Sequence, residues 1–161
     1  MQIGIIVLLI MRFARGQFFD AVRQLISRNT LVLAFLLSLA GMLGSLAYSE
    51  LFHLPACEFC WFQRIFIYAT VFVLGTALYI RDIRGIIYAR VLMTMALILG
   101  LYQYLMQFGL APETACDANG GVSCSAIDIL MFGYITIPLM SMTVSGLVLV
   151  LLWYGSTSDK K

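Results

Sequence analysis

Two cysteines three positions apart, Cys57 and Cys60, open the stretch Cys57-Glu58-Phe59-Cys60-Trp61-Phe62-Gln63-Arg64. A C-x-x-C pair carries either redox or metal chemistry. Here it stands at the entry to a long apolar run, so it falls at a helix start, where the macrodipole and unpaired N–H groups favour a thiolate. At helical pitch Cys60 and Arg64 share one face, about 6 Å apart along the axis. A cation in that place stabilises a thiolate, or binds the carbonyl oxygen of an electron acceptor as charge develops on it. The plainer alternative is an arginine that snorkels to the outer headgroups.

The elements that must position these residues follow from composition. Of 161 residues 62% are hydrophobic and 11% charged, and the mean hydropathy is +0.98, outside the range of a soluble domain. The chain reads as an all-α integral membrane protein, a four-transmembrane-helix bundle with spans at about 31–49, 59–80, 91–108 and 134–154, each close to the ~20 apolar residues a bilayer needs. Gly41, Gly44 and Ser45 would let a neighbouring helix approach the first span, Asn29 or Thr30 would cap it, and Pro138 suits the first turn of the fourth. Residues 1–30 form an extension in which Phe18, Val22, Leu25 and Ile26 oppose Arg23, Gln24 and Arg28, the pattern of an amphipathic helix lying in the interface. Residues 155–161 form a polar tail.

Charge sets the orientation. Arg12, Arg15, Arg23, Arg28, Arg81, Arg84, Arg90, Lys160 and Lys161 fall on one side of a four-span chain, and only Arg64 falls toward the other. Both termini are therefore expected in the cytoplasm, and the two remaining loops, which hold every cysteine, outside it. Thiols there are not kept reduced, which suggests two disulfides. Cys116 and Cys124 enclose Asn119-Gly120-Gly121, turn chemistry that allows a second disulfide to close; the alternative is a static loop staple. Four thiolates also suit zinc, but the C-x7-C spacing exceeds the usual ligand knuckle of about two to four residues. No metal site is expected. His53, the one histidine, and Glu58, between the thiols, receive no role.

Beyond these readings, residues 57–65, ending Gln63-Arg64-Ile65, resemble the signature of the disulfide bond formation protein B family (DsbB-like), in its short-loop BdbC-type branch. A second match is Ser123-Cys124-Ser125 followed by Phe132-Gly133-Tyr134-Ile135-Thr136-Ile137-Pro138-Leu139-Met140-Ser141, similar to that branch's entry into the last helix. The resemblance covers about residues 31–152 and leaves the first thirty outside it. It implies a thiol:quinone oxidoreductase of the bacterial cytoplasmic membrane. Such an enzyme reoxidises an extracytoplasmic thioredoxin-fold thiol oxidase (DsbA/BdbD-like), passes the electrons to a membrane quinone (ubiquinone or menaquinone), and so supports disulfide formation in folding proteins.

Carried over by position, the redox-active pairs are Cys57/Cys60 and Cys116/Cys124. The partner's thiolate would attack Cys116, Cys57 would take over Cys124, and Cys60 would remain as the thiolate facing the quinone, with Arg64 as the quinone-site arginine. Membrane lipid is the other expected partner, and no nucleic acid is. Two alternatives stand beside this reading. One is a vitamin K epoxide reductase type of enzyme, whose C-x-x-C opens a late helix whereas this one opens the second span. The other is a non-catalytic structural or metal-binding membrane subunit.

Overall fold

The structure, a computed structural model, describes residues 29–51, 57–110 and 136–158. The expected interfacial helix, His53, and the loop with Cys116 and Cys124 lie outside the described residues. Among those described, four helices follow one another: α1 (Thr30–Glu50), α2 (Glu58–Ile80), α3 (Gly85–Gln107) and α4 (Ile137–Ser158). Each of α1 to α3 is long and apolar enough to cross a membrane, and α4 contributes a shorter apolar stretch, Ile137–Trp153.

Local chemistry explains where these helices begin and end. At the head of α1, Asn29 occupies the cap position, yet its side chain makes no capping hydrogen bond; its carbonyl accepts from Leu33 N–H at 2.9 Å. The α2–α3 connection is tight. Arg81 takes a left-handed conformation at φ 55°, and Asp82 N–H reaches back to the Ala77 carbonyl at 3.0 Å, the six-to-one bond of a Schellman ending. The Asp82 carboxylate then accepts from Arg84 N–H at 2.9 Å, and the chain winds straight into α3. That helix therefore starts at Gly85, well ahead of residue 91. Charge at Arg84 and Arg90 marks the edge of an apolar segment, but a helix ends where its hydrogen bonds end. Arg90 lies inside α3 and donates from Nη2 to the Leu152 carbonyl of α4.

The helices form a ring in which α1 packs on α2, α2 on α3, α3 on α4, and α4 closes back on α1. Lipid tails are as apolar as leucine, so close packing through small residues has to supply much of the association. Ala34, Ala77, Ala89 and Ala96 are accordingly buried together with Leu74, Met93, Val148 and Leu152. Gly85 lies so close to Ala77 of α2 that a methyl group would collide with it, and a Cβ on Gly100 would stand 2.7 Å from Met142 Cγ of α4. Of the three small residues expected to admit a neighbour to α1, Gly41 faces Val144, Gly44 faces nothing within 4 Å, and Ser45 binds Arg64.

Polarity runs opposite to that of a soluble bundle. Gln63, Thr70, Gln103, Thr143, Ser38 and Ser145 are buried, while Leu36, Leu43, Phe72, Ile87, Val91 and Ile98 are exposed. An apolar outer surface around a partly polar interior suits hydrocarbon as the solvent.

Candidate redox site

Cys57 is the residue at which α2 begins. Its backbone is extended (φ −69°, ψ 168°), and its sulfur accepts from Cys60 N–H at 3.4 Å, in the place where serine or aspartate commonly caps a helix. One turn of helix then brings the two thiols together, with the sulfurs 2.8 Å apart. A disulfide needs about 2.05 Å, so closure requires little backbone movement. Cys57 is 6% exposed and Cys60 half-buried. Met106, Phe59 and Tyr102 pack around them, the two rings lying 5.6 Å apart.

The thiols are held from across the bundle. Gln103 of α3 donates from Nε2 to the Cys57 sulfur at 3.1 Å and to the Cys60 sulfur at 3.4 Å. Gln63, one turn beyond Cys60 on α2, donates in turn to Gln103 Oε1 at 2.6 Å. Neither amide was marked by the cysteine spacing. A signal was present all the same, because Gln103 is one of two glutamines inside a long apolar span, and polar residues so placed are functional candidates.

The Cys57 thiol, at the mouth of α2, is held well above the ordinary cysteine range. The first cause is its hydrogen bond with Cys60, and burial is the second. A helix start alone would pull it the other way, so for Cys57 the neighbouring sulfur outweighs the macrodipole. Glu58, between the two, is exposed.

Arg64 turns toward α1. Its Nε donates to Ser45 Oγ at 3.0 Å, Nη2 to the Ser45 carbonyl at 3.2 Å and Nη1 to Ser49 Oγ at 3.3 Å. The guanidinium carbon stands 5.3 Å from the centre of the Trp61 ring, a cation–π distance. These bonds use three of the five donors of a guanidinium and leave two N–H groups without a partner among the described residues. Trp61, Phe62 and Ile65 beside it are each half exposed or more. Spare N–H donors bordered by exposed apolar and aromatic side chains suit a lipophilic carbonyl compound, so the residues present fit a quinone. Among the described residues no cluster of three or more His, Cys, Asp or Glu forms that could hold a metal.

A dithiol at one end of an apolar helical bundle defines a class of membrane thiol proteins, and comparison with known proteins narrows it. The chain belongs to the DsbB family, whose model, "Disulfide bond formation protein DsbB", matches residues 27–155. It is 37% identical over 114 residues to the SPbeta prophage-derived disulfide bond formation protein B of Bacillus subtilis, which covers 71% of this chain and 76% of that protein. Over 124 residues it is 39% identical to a Coxiella burnetii protein named "Probable disulfide formation protein", covering 75% and 83%. A Bacillus cereus relative named "Probable disulfide formation protein C 2" is 33% identical over 137 residues, covering 84% of this chain and 97% of its own length. No solved structure gives a significant match. With its three span-length helices, the chain is a membrane protein of this family.

Proposed function

We propose that this protein is a membrane thiol:quinone oxidoreductase that reoxidises an extracytoplasmic thioredoxin-fold thiol oxidase and thereby supports disulfide formation. The observation that carries the reading is the Cys57–Cys60 pair, with sulfurs 2.8 Å apart at the mouth of α2, in a chain of the DsbB family. In this reading α4, of 22 residues and so about 33 Å long, completes a four-span bundle with both termini in the cytoplasm.

The residues divide the work by position. The partner's thiolate attacks Cys116, forming a mixed disulfide and displacing Cys124 as a thiolate; Cys124 then attacks Cys57 of the Cys57–Cys60 disulfide, so that a Cys57–Cys124 bond forms, the Cys57–Cys60 bond breaks and Cys60 is left as the electron-rich sulfur. Gln103 steadies both thiols as their separation closes to a bond. Arg64, braced by Ser45 and Ser49, offers its two spare N–H groups to a carbonyl oxygen. The oxidant would be a bound quinone, which would take two electrons and two protons from the Cys57–Cys60 dithiol. Binding beside exposed Trp61, Phe62 and Ile65 keeps that acceptor in contact with lipid, from which it exchanges.

The test uses purified, fully oxidised protein, a reduced thioredoxin-fold oxidase and a soluble quinone, with quinone absorbance and partner thiols followed together. One quinone should be reduced for every two partner thiols lost. Partner thiols that stay reduced and quinone that stays oxidised, with every partner tried, sink the proposal. In the same assay Arg64→Ala should slow quinone reduction by tenfold or more while sparing the first turnover with the partner; equal losses in both steps remove Arg64 from the quinone site.

A further inference from the structure

We propose that Gln103, oriented by Gln63, is the positioning residue of the Cys57–Cys60 pair and sets how readily that pair accepts electrons. The inference rests on the redox reading of this pair but on neither the quinone nor the partner. Both amides are more than nine-tenths buried, Gln103 at 2% and Gln63 at 4% exposure, in a region where apolar side chains would pack at no desolvation cost. An interhelical hydrogen bond within a membrane contributes little on average, because the separated helices also find partners, which is weak justification for two buried amides as adhesive. Their direction is more informative.

Gln63 Nε2 occupies the carbonyl oxygen of Gln103 at 2.6 Å, so that oxygen is turned away from the sulfurs and the NH2 group faces them. One amide nitrogen thereby reaches both thiols, at 3.1 Å and 3.4 Å. The chain Gln63 to Gln103 to sulfur is a run of aligned donors, each polarising the next. A donor so placed favours electron-rich sulfur, and the reduced pair accepts its hydrogen bonds more strongly than a disulfide does. Stabilising the reduced form makes a disulfide a stronger oxidant. Gln103 therefore does two things: it holds two sulfurs from α2 at a fixed separation by a contact from α3, and it raises the potential of the pair.

The experiment equilibrates the full chain, with Cys116 and Cys124 replaced by serine so that one pair titrates, against mixtures of reduced and oxidised glutathione. Oxidised glutathione accepts two electrons and two protons from the two thiols; one disulfide forms and one breaks. Gln103→Met preserves length and removes the donor. It should shift the equilibrium about tenfold toward the Cys57–Cys60 disulfide, the scale of one lost hydrogen bond to sulfur, equivalent to a potential about 30 mV lower. Gln63→Met should give a smaller shift of the same sign. The double variant, which orphans neither amide, should match Gln103→Met, since Gln63 acts only through it. A merely structural pair would lower thermal stability and leave the potential in place. An equilibrium constant within twofold of the parent in Gln103→Met overturns the proposal, as does the same result in the double variant where the single one fails to fold. A Gln63→Met shift that adds in full to that of Gln103→Met overturns the orienting role. Because no quinone or partner is present, failure here is distinct from failure of the proposed activity.

Discussion

At the scale of single residues, the two thiols of the site are unequal. Cys57 is buried and its thiol is held up first by the Cys60 sulfur, so its thiolate appears only at a pH above the usual cysteine range. Removing the cause should reverse the shift: in a reduced chain carrying Cys60→Ala, Cys57 should become alkylatable at a lower pH than in the parent. Mass spectrometry of the Cys57 peptide across a pH series measures this, and an onset that stays put or moves upward contradicts the assignment. The cysteine pair and Arg64 were legible in the sequence because their separation is local and helical pitch converts it into distance. Gln103 was not, because its sulfur partner lies 46 positions away in the chain, a contact that no periodicity encodes. The sequence placed Arg64 on the Cys60 face; its turn toward Ser45 and Ser49 depends on where α1 lies, which is again a matter of packing.

Among the elements, α3 bears most directly on the site, since it carries Gln103 and must sit close to both α2 and α4. Gly100, one turn before Gln103, allows that approach. Gly100→Leu places a branched side chain where Met142 Cγ already lies 2.7 Å from a bare Cβ position, and overpacking of this kind costs about 1–3 kcal/mol. Thermal unfolding in detergent should show a lowered midpoint; an unchanged midpoint means that α4 does not press on α3 there. Apolar run length located the helices well but their ends less so. Hydropathy senses the cost of charge in lipid, whereas the start of α3 is fixed by the Asp82 carboxylate and the left-handed Arg81, and α4 runs on to Ser158. The same charges that stop a hydropathy window are compatible with helix.

For the molecule as a whole, the dithiol and the Arg81–Arg84 turn stand at opposite ends of α2, whose 23 residues extend about 35 Å. If the basic turn is cytoplasmic, a cysteine placed there should be shielded from an impermeant thiol reagent. Ile83→Cys, at an exposed position, should be labelled in intact cells only after permeabilisation; labelling from outside reverses the proposed orientation. Closure of the ring by α4 has a consequence for biogenesis. During synthesis α1, α2 and α3 emerge and pair in sequence, but the faces around Gly41 and Gly100 stay open to lipid until α4 covers both with Val144 and Met142. On the proposed four-span reading the last helix is thus a latch, and a chain stalled before α4 enters the membrane would carry an unsealed seam that the finished protein lacks.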